Sequence, residues 1–153
     1  MIALASDHAG FPLKNAIAQY LTAREIPFSD LGTHTGERCD YPEYGLMAAT
    51  AVASGRCEKG ILVCGTGVGI GIAANKVKGI RCVTCTEPYS AVLSRKHNDA
   101  NMLSLGARVV GEGLALMIVE QWLAADFEGG RHGQRVGLIT QIEQTGEIVS
   151  GGR

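Results

Sequence analysis

The sequence predicts an α/β fold in which one parallel sheet carries helices on both faces. Three observations predict it. Short apolar runs alternate with amphipathic helical patterns from one end of the chain to the other. The chain has 153 residues, which suits one domain better than two. No internal repeat, linker or low-complexity stretch divides it.

Met1 to Ala5 is the first strand-like run and ends in the polar group Ser6-Asp7-His8. Pro12 then sits where the first turn of a helix tolerates it, and Leu13, Ile17 and Leu21 recur at helical spacing. Pro27 to Leu31 reads as a second strand, followed by a polar, irregular loop from Gly32 to Tyr41. Pro42 opens a helix with Leu46, Ala49 and Val52 on one side. Gly60 to Cys64 is a buried strand running into the glycine-rich segment Gly65 to Gly71, after which Ile72 to Lys76 reads as helical. Ile80 to Cys85 is a fourth strand, and Pro88 opens a helix to about His97. Met102 to Leu105 is the fifth strand, followed by an apolar helix from Leu114 to Leu123 that carries Trp122 into the core. A last helix, from about Gln134 to Glu147, has Val136, Ile139 and Ile142 on one face. The expectation is a three-layer αβα sandwich of Rossmann-like type with a five-stranded parallel sheet, a domain over residues 1–149 and a loose tail from Ser150 to Arg153.

Apolar residues make up 46% and charged residues 19%, as in a soluble globular protein. A net charge of -1 gives no global field toward nucleic acid or anionic lipid. No apolar run approaches the ~18 residues of a membrane helix, and the first residues lack the basic region of a signal peptide. Five cysteines without an export signal point to reduced thiols in the cytoplasm. Cys82 and Cys85 form a C-x-x-C inside a strand, where residues three apart face opposite ways, so packing roles are expected rather than redox or zinc chemistry. His34 and His132 lack partners at metal-ligand spacing, and Cys39 and Cys57 stand in polar surroundings.

In such folds ligands bind beyond the carboxyl ends of the strands. Asp7-His8, Cys64 with its glycines, and Glu87 all follow strands there. Backbone N–H groups of the glycines beside Cys64 would favour a reactive thiolate and could also hold an oxyanion. Base and oxyanion hole side by side are what enolisation next to a carbonyl demands, although an inert core cysteine would occupy the same place. Gly69, Gly71 and Ala74 match G-x-G-x-x-A but begin too late after the strand for a dinucleotide fingerprint, and no Gly-Lys pair exists to make a P-loop. His97 is a proton donor or acceptor near neutral pH, or one of three basic residues complementing a helix end. Arg108, Arg131 and Arg135 are candidate phosphate ligands; the last two would share a helix face, solvated or gripping an anion.

Ser6-Asp7-His8-Ala9-Gly10, Asp40-Tyr41-Pro42, Cys64-Gly65-Thr66-Gly67-Val68-Gly69 and Ile72-Ala73-Ala74-Asn75-Lys76 continue into Glu87-Pro88-Tyr89-Ser90-Ala91, Arg95-Lys96-His97-Asn98-Asp99 and Glu128-Gly129-Gly130-Arg131-His132 with Arg135. In this order they resemble the type B ribose-5-phosphate isomerases, kin of the allose- and galactose-phosphate isomerases. The resemblance implies interconversion of ribose 5-phosphate and ribulose 5-phosphate through an enediolate, a step of the pentose phosphate pathway. It makes Cys64 the base that carries the proton between C2 and C1. Gly65, Thr66, Gly67, Val68 and Gly69 would hold the oxyanion, and His97 would help open the furanose ring. Asn98 and Asp7 would contact sugar hydroxyls, while His8, Arg108, Arg131 and Arg135 would bind phosphate. A homodimer or dimer of dimers with shared sites is implied, without metal or organic cofactor. Some members replace the cysteine by glycine and use a later glutamate; here that later position is Ile70 and Cys64 is present. Ser6 before Asp7 and Gly71 in the loop depart from the pattern without touching these roles. A six-carbon substrate such as allose 6-phosphate, or a non-catalytic sugar-phosphate sensor, remain the competing readings.

Overall fold

The computed structural model describes residues 1–148, so the expected tail from Ser150 to Arg153 lies outside the described residues. Five strands, β1 (Ile2–Ser6), β2 (Phe28–Asp30), β3 (Lys59–Cys64), β4 (Cys82–Thr84) and β5 (Met102–Gly106), form one sheet in the order β2-β1-β3-β5-β4. Every pairing is parallel. The helices are α1 (Phe11–Ala23), α2 (Tyr41–Ala53), α3 (Val68–Ala74), α4 (Pro88–Asn98), α5 (Glu112–Ala124) and α6 (Arg131–Thr145). Among the described residues, no helix is long and apolar enough to cross a membrane.

Alternate residues of the central strands supply two cores. Ile2, Leu4, Ile61, Val63, Leu103 and Leu105 pack against α1, α5 and Ala91 of α4, around Trp122. Ala3, Ala5, Leu62, Cys64 and Met102 meet α2 and α3 on the other face. Small residues make this second interface close: α2 buries Gly45, Ala48, Ala49 and Val52. The three expected layers are therefore present, with α6 set outside them against α4.

Several local expectations change. Leu46 is exposed, because the buried stripe of α2 runs through Gly45 and Ala48 instead. α3 starts at Val68, four residues before the expected Ile72, since Gly67 takes a left-handed φ of 79° that turns the chain straight into the helix. α6 starts at Arg131, and its Leu138, Ile139 and Ile142 face outward rather than into this subunit. Cys57 is buried in the α2–α3 core, not in polar surroundings.

Cys82 and Cys85 fall in the two opposite cores, as their spacing predicts. A fully buried Lys14 on α1 is paired with Asp30 at the end of β2, tying the first helix to the edge strand.

Candidate active site

The chain leaves β1, crosses to β2 on one side, then returns to β3 on the other. The carboxyl ends of β1 and β3 therefore flank a switch point, where open α/β sheets leave a crevice. Register places Ser6 beside Val63 and Cys64 beside Gly106, so the segments beginning at Asp7, Gly65 and Ala107 leave the sheet at one level. A cleft of about 380 Å³ opens there. Its walls include Asp7, His8, Cys64, Thr66, Gly69 and Arg108, six residues that sequence reasoning singled out.

Cys64 is 4% exposed at the floor of this cleft. Its Sγ accepts a hydrogen bond from the Gly67 N–H at 3.2 Å. The loop can fold this tightly only around glycine: a Cβ at Gly67 would lie 2.8 Å from the Leu105 carbonyl carbon, at a φ that side chains disfavour. Thr66 Oγ1 accepts from the Val68 N–H at 3.4 Å, steadying the loop's far side. Gly65 and Val68 also line the cleft, with the Arg108 guanidinium 3.5 Å from where a Gly65 Cβ would stand. Arg108 is fixed from behind, its N–H donating to the Gly65 carbonyl at 3.0 Å.

Asp7 is buried, and its Oδ1 accepts from the Gly10 N–H at 2.9 Å, holding the turn into α1. Gly10 is required by close approach, since a Cβ there would sit 2.4 Å from the Val63 carbonyl oxygen. His8 Nδ1 lies 3.2 Å from both the N–H and the carbonyl oxygen of Cys39. A neutral ring accepts from that N–H and keeps its proton on Nε2; a charged ring donates to that oxygen. Nδ1 thus has a partner in either state.

The other predicted residues are elsewhere. α4 begins beyond β4, capped by the Glu87 carboxylate accepting from the Ser90 N–H at 2.9 Å. Its eleven residues rise about 16 Å back along the sheet. His97 and Asn98 therefore arrive at the amino edge, where Arg81 donates to the Asn98 carbonyl oxygen at 3.0 Å and Gly60 to that of Asn101 at 2.9 Å. Arg131 and Arg135 open α6 beside them, on one exposed helix face as predicted. Within one chain, Cys64 and His97 stand at opposite edges of the sheet.

At the amino edge the fold assembles a cluster that sequence reasoning missed. The His97 and His132 rings stack with centroids 4.1 Å apart and 2° between planes. Glu128 Oε2 lies 3.8 Å from His97 Nε2 and 3.9 Å from His132 Nε2. Burial, then the charges of His97 and Arg131, lower the pKa of His132 below the usual imidazole range. His132 thus has the neighbours its sequence spacing hid; the i, i+4 relation of Glu128 to His132 was the available signal. Their ligand atoms fall within 4.8 Å of one another, close enough to consider a metal. Parallel rings, however, aim their lone pairs side by side rather than at one point. Tyr41 was also missed as a site residue; its ring overlies Gly69 at the cleft mouth.

Comparisons with known proteins bear on the family and the fold. The ribose/galactose isomerase family profile matches residues 2–139. Ribose-5-phosphate isomerase B of Escherichia coli is 59% identical over 143 residues, 94% of this chain and 96% of that protein. The structure of Clostridium thermocellum ribose-5-phosphate isomerase B superposes with a TM-score of 0.93 at 55% identity, covering 95% and 99% of the two chains. Ribose-5-phosphate isomerase B of Mycoplasma genitalium, solved with bound ribulose-5-phosphate, gives a TM-score of 0.90 at 39% identity over 94% and 96%. By sequence and topology, the chain belongs to the ribose/galactose isomerase family.

Proposed function

We propose that this enzyme is an aldose–ketose isomerase that interconverts D-ribose 5-phosphate and D-ribulose 5-phosphate with Cys64 as base. The observation that carries the reading is the Cys64 sulfur on the floor of the cleft, in contact with the Gly67 N–H. The thiolate takes the proton from C2, and the C2–H electron pair becomes the C1–C2 double bond of an enediolate. The former C1 carbonyl oxygen gains negative charge, which the N–H groups of Gly65 to Gly69 and the Thr66 hydroxyl stabilise where it develops. Return of the proton from sulfur to C1, with loss of the O2 proton to O1, leaves the ketose. Asp7 and Asn98 hold hydroxyls, His97 opens the furanose, and His8, Arg108, Arg131 and Arg135 hold the phosphate.

These roles need a second copy of the chain. The cleft supplies the thiol, the loop, Asp7, His8 and Arg108, while His97, Asn98, Arg131 and Arg135 stand at the far edge. A two-fold pair would bring the far edge of one subunit onto the cleft of the other and complete two sites at once. Exposed apolar residues support this arrangement on both sides: Tyr41, Val68 and Ile72 flank the cleft, and Leu138, Ile139 and Ile142 line α6 below the arginines. Five free thiols suit a reducing compartment, so we place the enzyme in the cytoplasm.

Incubation with ribose 5-phosphate and with allose 6-phosphate in heavy water tests the reading. Deuterium should enter the carbon next to the carbonyl, with faster turnover of the five-carbon sugar. Absence of both isomerisation and exchange would remove the proposal.

A further inference from the structure

We propose that Glu128 is the positioning residue that lets His97 act as both acid and base in ring opening, an inference that rests on the isomerase reading above. The carboxylate lies at nearly equal distances from the Nε2 atoms of His97 and His132, 3.8 and 3.9 Å, beneath a parallel ring pair. Glu128 is itself held from two sides. Its N–H donates to the Lys96 carbonyl at 3.0 Å, and its Oε1 meets Lys96 Nζ at 3.3 Å. Directly after it, Gly129 and Gly130 take φ values of 66° and 55°, the bend that starts α6 and swings His132 under His97.

The charged groups around this pair define its state. Lys96 on α4 and Arg131 and Arg135 on α6 are positive, and Glu128 is the one carboxylate facing both rings among the described residues. Two imidazolium rings stacked at 4.1 Å would repel one another, so a charge on one ring disfavours a charge on the other, and the carboxylate favours a proton on whichever ring takes it. Opening a furanose needs both functions. The anomeric O1–H gives up its proton, its electron pair becomes the C1 carbonyl, and the bond from C1 to the ring oxygen breaks. The departing pair on that oxygen then takes a proton. An imidazole whose charged form is favoured by a carboxylate at 3.8 Å can take the O1 proton and give one to the ring oxygen without leaving the site. None of this is needed for the transfer at C1 and C2, which belongs to Cys64.

Two measurements on the intact enzyme separate ring opening from proton transfer. Ribulose 5-phosphate has its O5 esterified, so no five-membered ring can close, and exchange of its C1 proton in heavy water reports the thiol step alone. Glu128→Gln should lower turnover of ribose 5-phosphate about tenfold or more while C1 exchange on ribulose 5-phosphate stays within about twofold. The kcat/KM profile for ribose 5-phosphate should shift to lower pH, because removing the negative charge makes the imidazoles easier to deprotonate. Glu128→Asp should recover most of the loss. Equal loss of both activities would assign Glu128 a merely structural role, and unchanged ribose 5-phosphate turnover would leave it none; either overturns the inference. A wild-type enzyme inert toward ribose 5-phosphate would instead sink the isomerase reading itself.

Discussion

Burial pushes the Cys82 thiol up to about 12 and the Cys85 thiol up to about 11, so both stay protonated at neutral pH. Iodoacetamide at pH 8 should therefore leave these two unlabelled in the native protein, as read by peptide mass spectrometry. The unfolded thiols ionise near 8.5. Folding thus favours the protonated forms, and this contribution to stability is full below that value and lost as pH rises toward 11 and 12. Cys64 differs in having the Gly67 N–H on its sulfur and open cleft above it. Cys64→Ala should cut kcat by about 10³-fold, the range set by losing a general base, with phosphosugar binding still measurable by calorimetry. The place of Cys64 in the cleft was legible in the sequence because it depends on local chain order: strand end, then glycines. Cys57 and His132 were not legible, because the core that buries the first draws on β1, α3 and β5 as well as its neighbours, and the ring stacked on the second comes from the end of α4.

At the level of elements, the strands and most helices, with the starts marked by Pro12, Pro42 and Pro88, follow from apolar period and proline placement, while the starts of α3 and α6 do not. Val68 to Ala74 contains two glycines and reads as loop by propensity, yet it is helical from its first residue because packing on β3 and β5 outweighs that preference. The buried face of α2 was misjudged for a related reason, since glycine and alanine carry little hydrophobic signal and still make the closest contacts. The Lys14–Asp30 pair predicts an asymmetry between its two ends. Lys14 is fully buried and Asp30 a quarter exposed. Asp30→Ala leaves an ammonium without its partner and should cost about 3 kcal/mol in urea unfolding. Lys14→Met fills the same space and lets the carboxylate meet water, and should cost less. Glu87→Ala removes the cap of α4 and should lower the urea midpoint in the same measurement.

For the molecule as a whole, the sequence named both groups of candidate residues but could not show how far apart the fold sets them. Distance across a sheet is a product of topology, and only the direction of α4 reveals that His97 ends far from Cys64. A mixing experiment tests the proposed sharing. Cys64→Ala and Arg131→Ala;Arg135→Ala subunits, each inactive alone, should regain about a quarter of wild-type activity when unfolded and refolded together, because half the pairs are mixed and carry one intact site. No recovery would place every residue's partner within its own chain. Leu138→Asp with Ile142→Asp should yield monomers by analytical ultracentrifugation, and those monomers should be inactive. With sites shared as proposed, the layout of thiol at one edge and imidazoles at the other would make output depend on abundance. A newly synthesised chain would be inert until it met a sibling, specific activity should decline on dilution, and a defective copy expressed beside a sound one would spoil sites in proportion to the encounters it won.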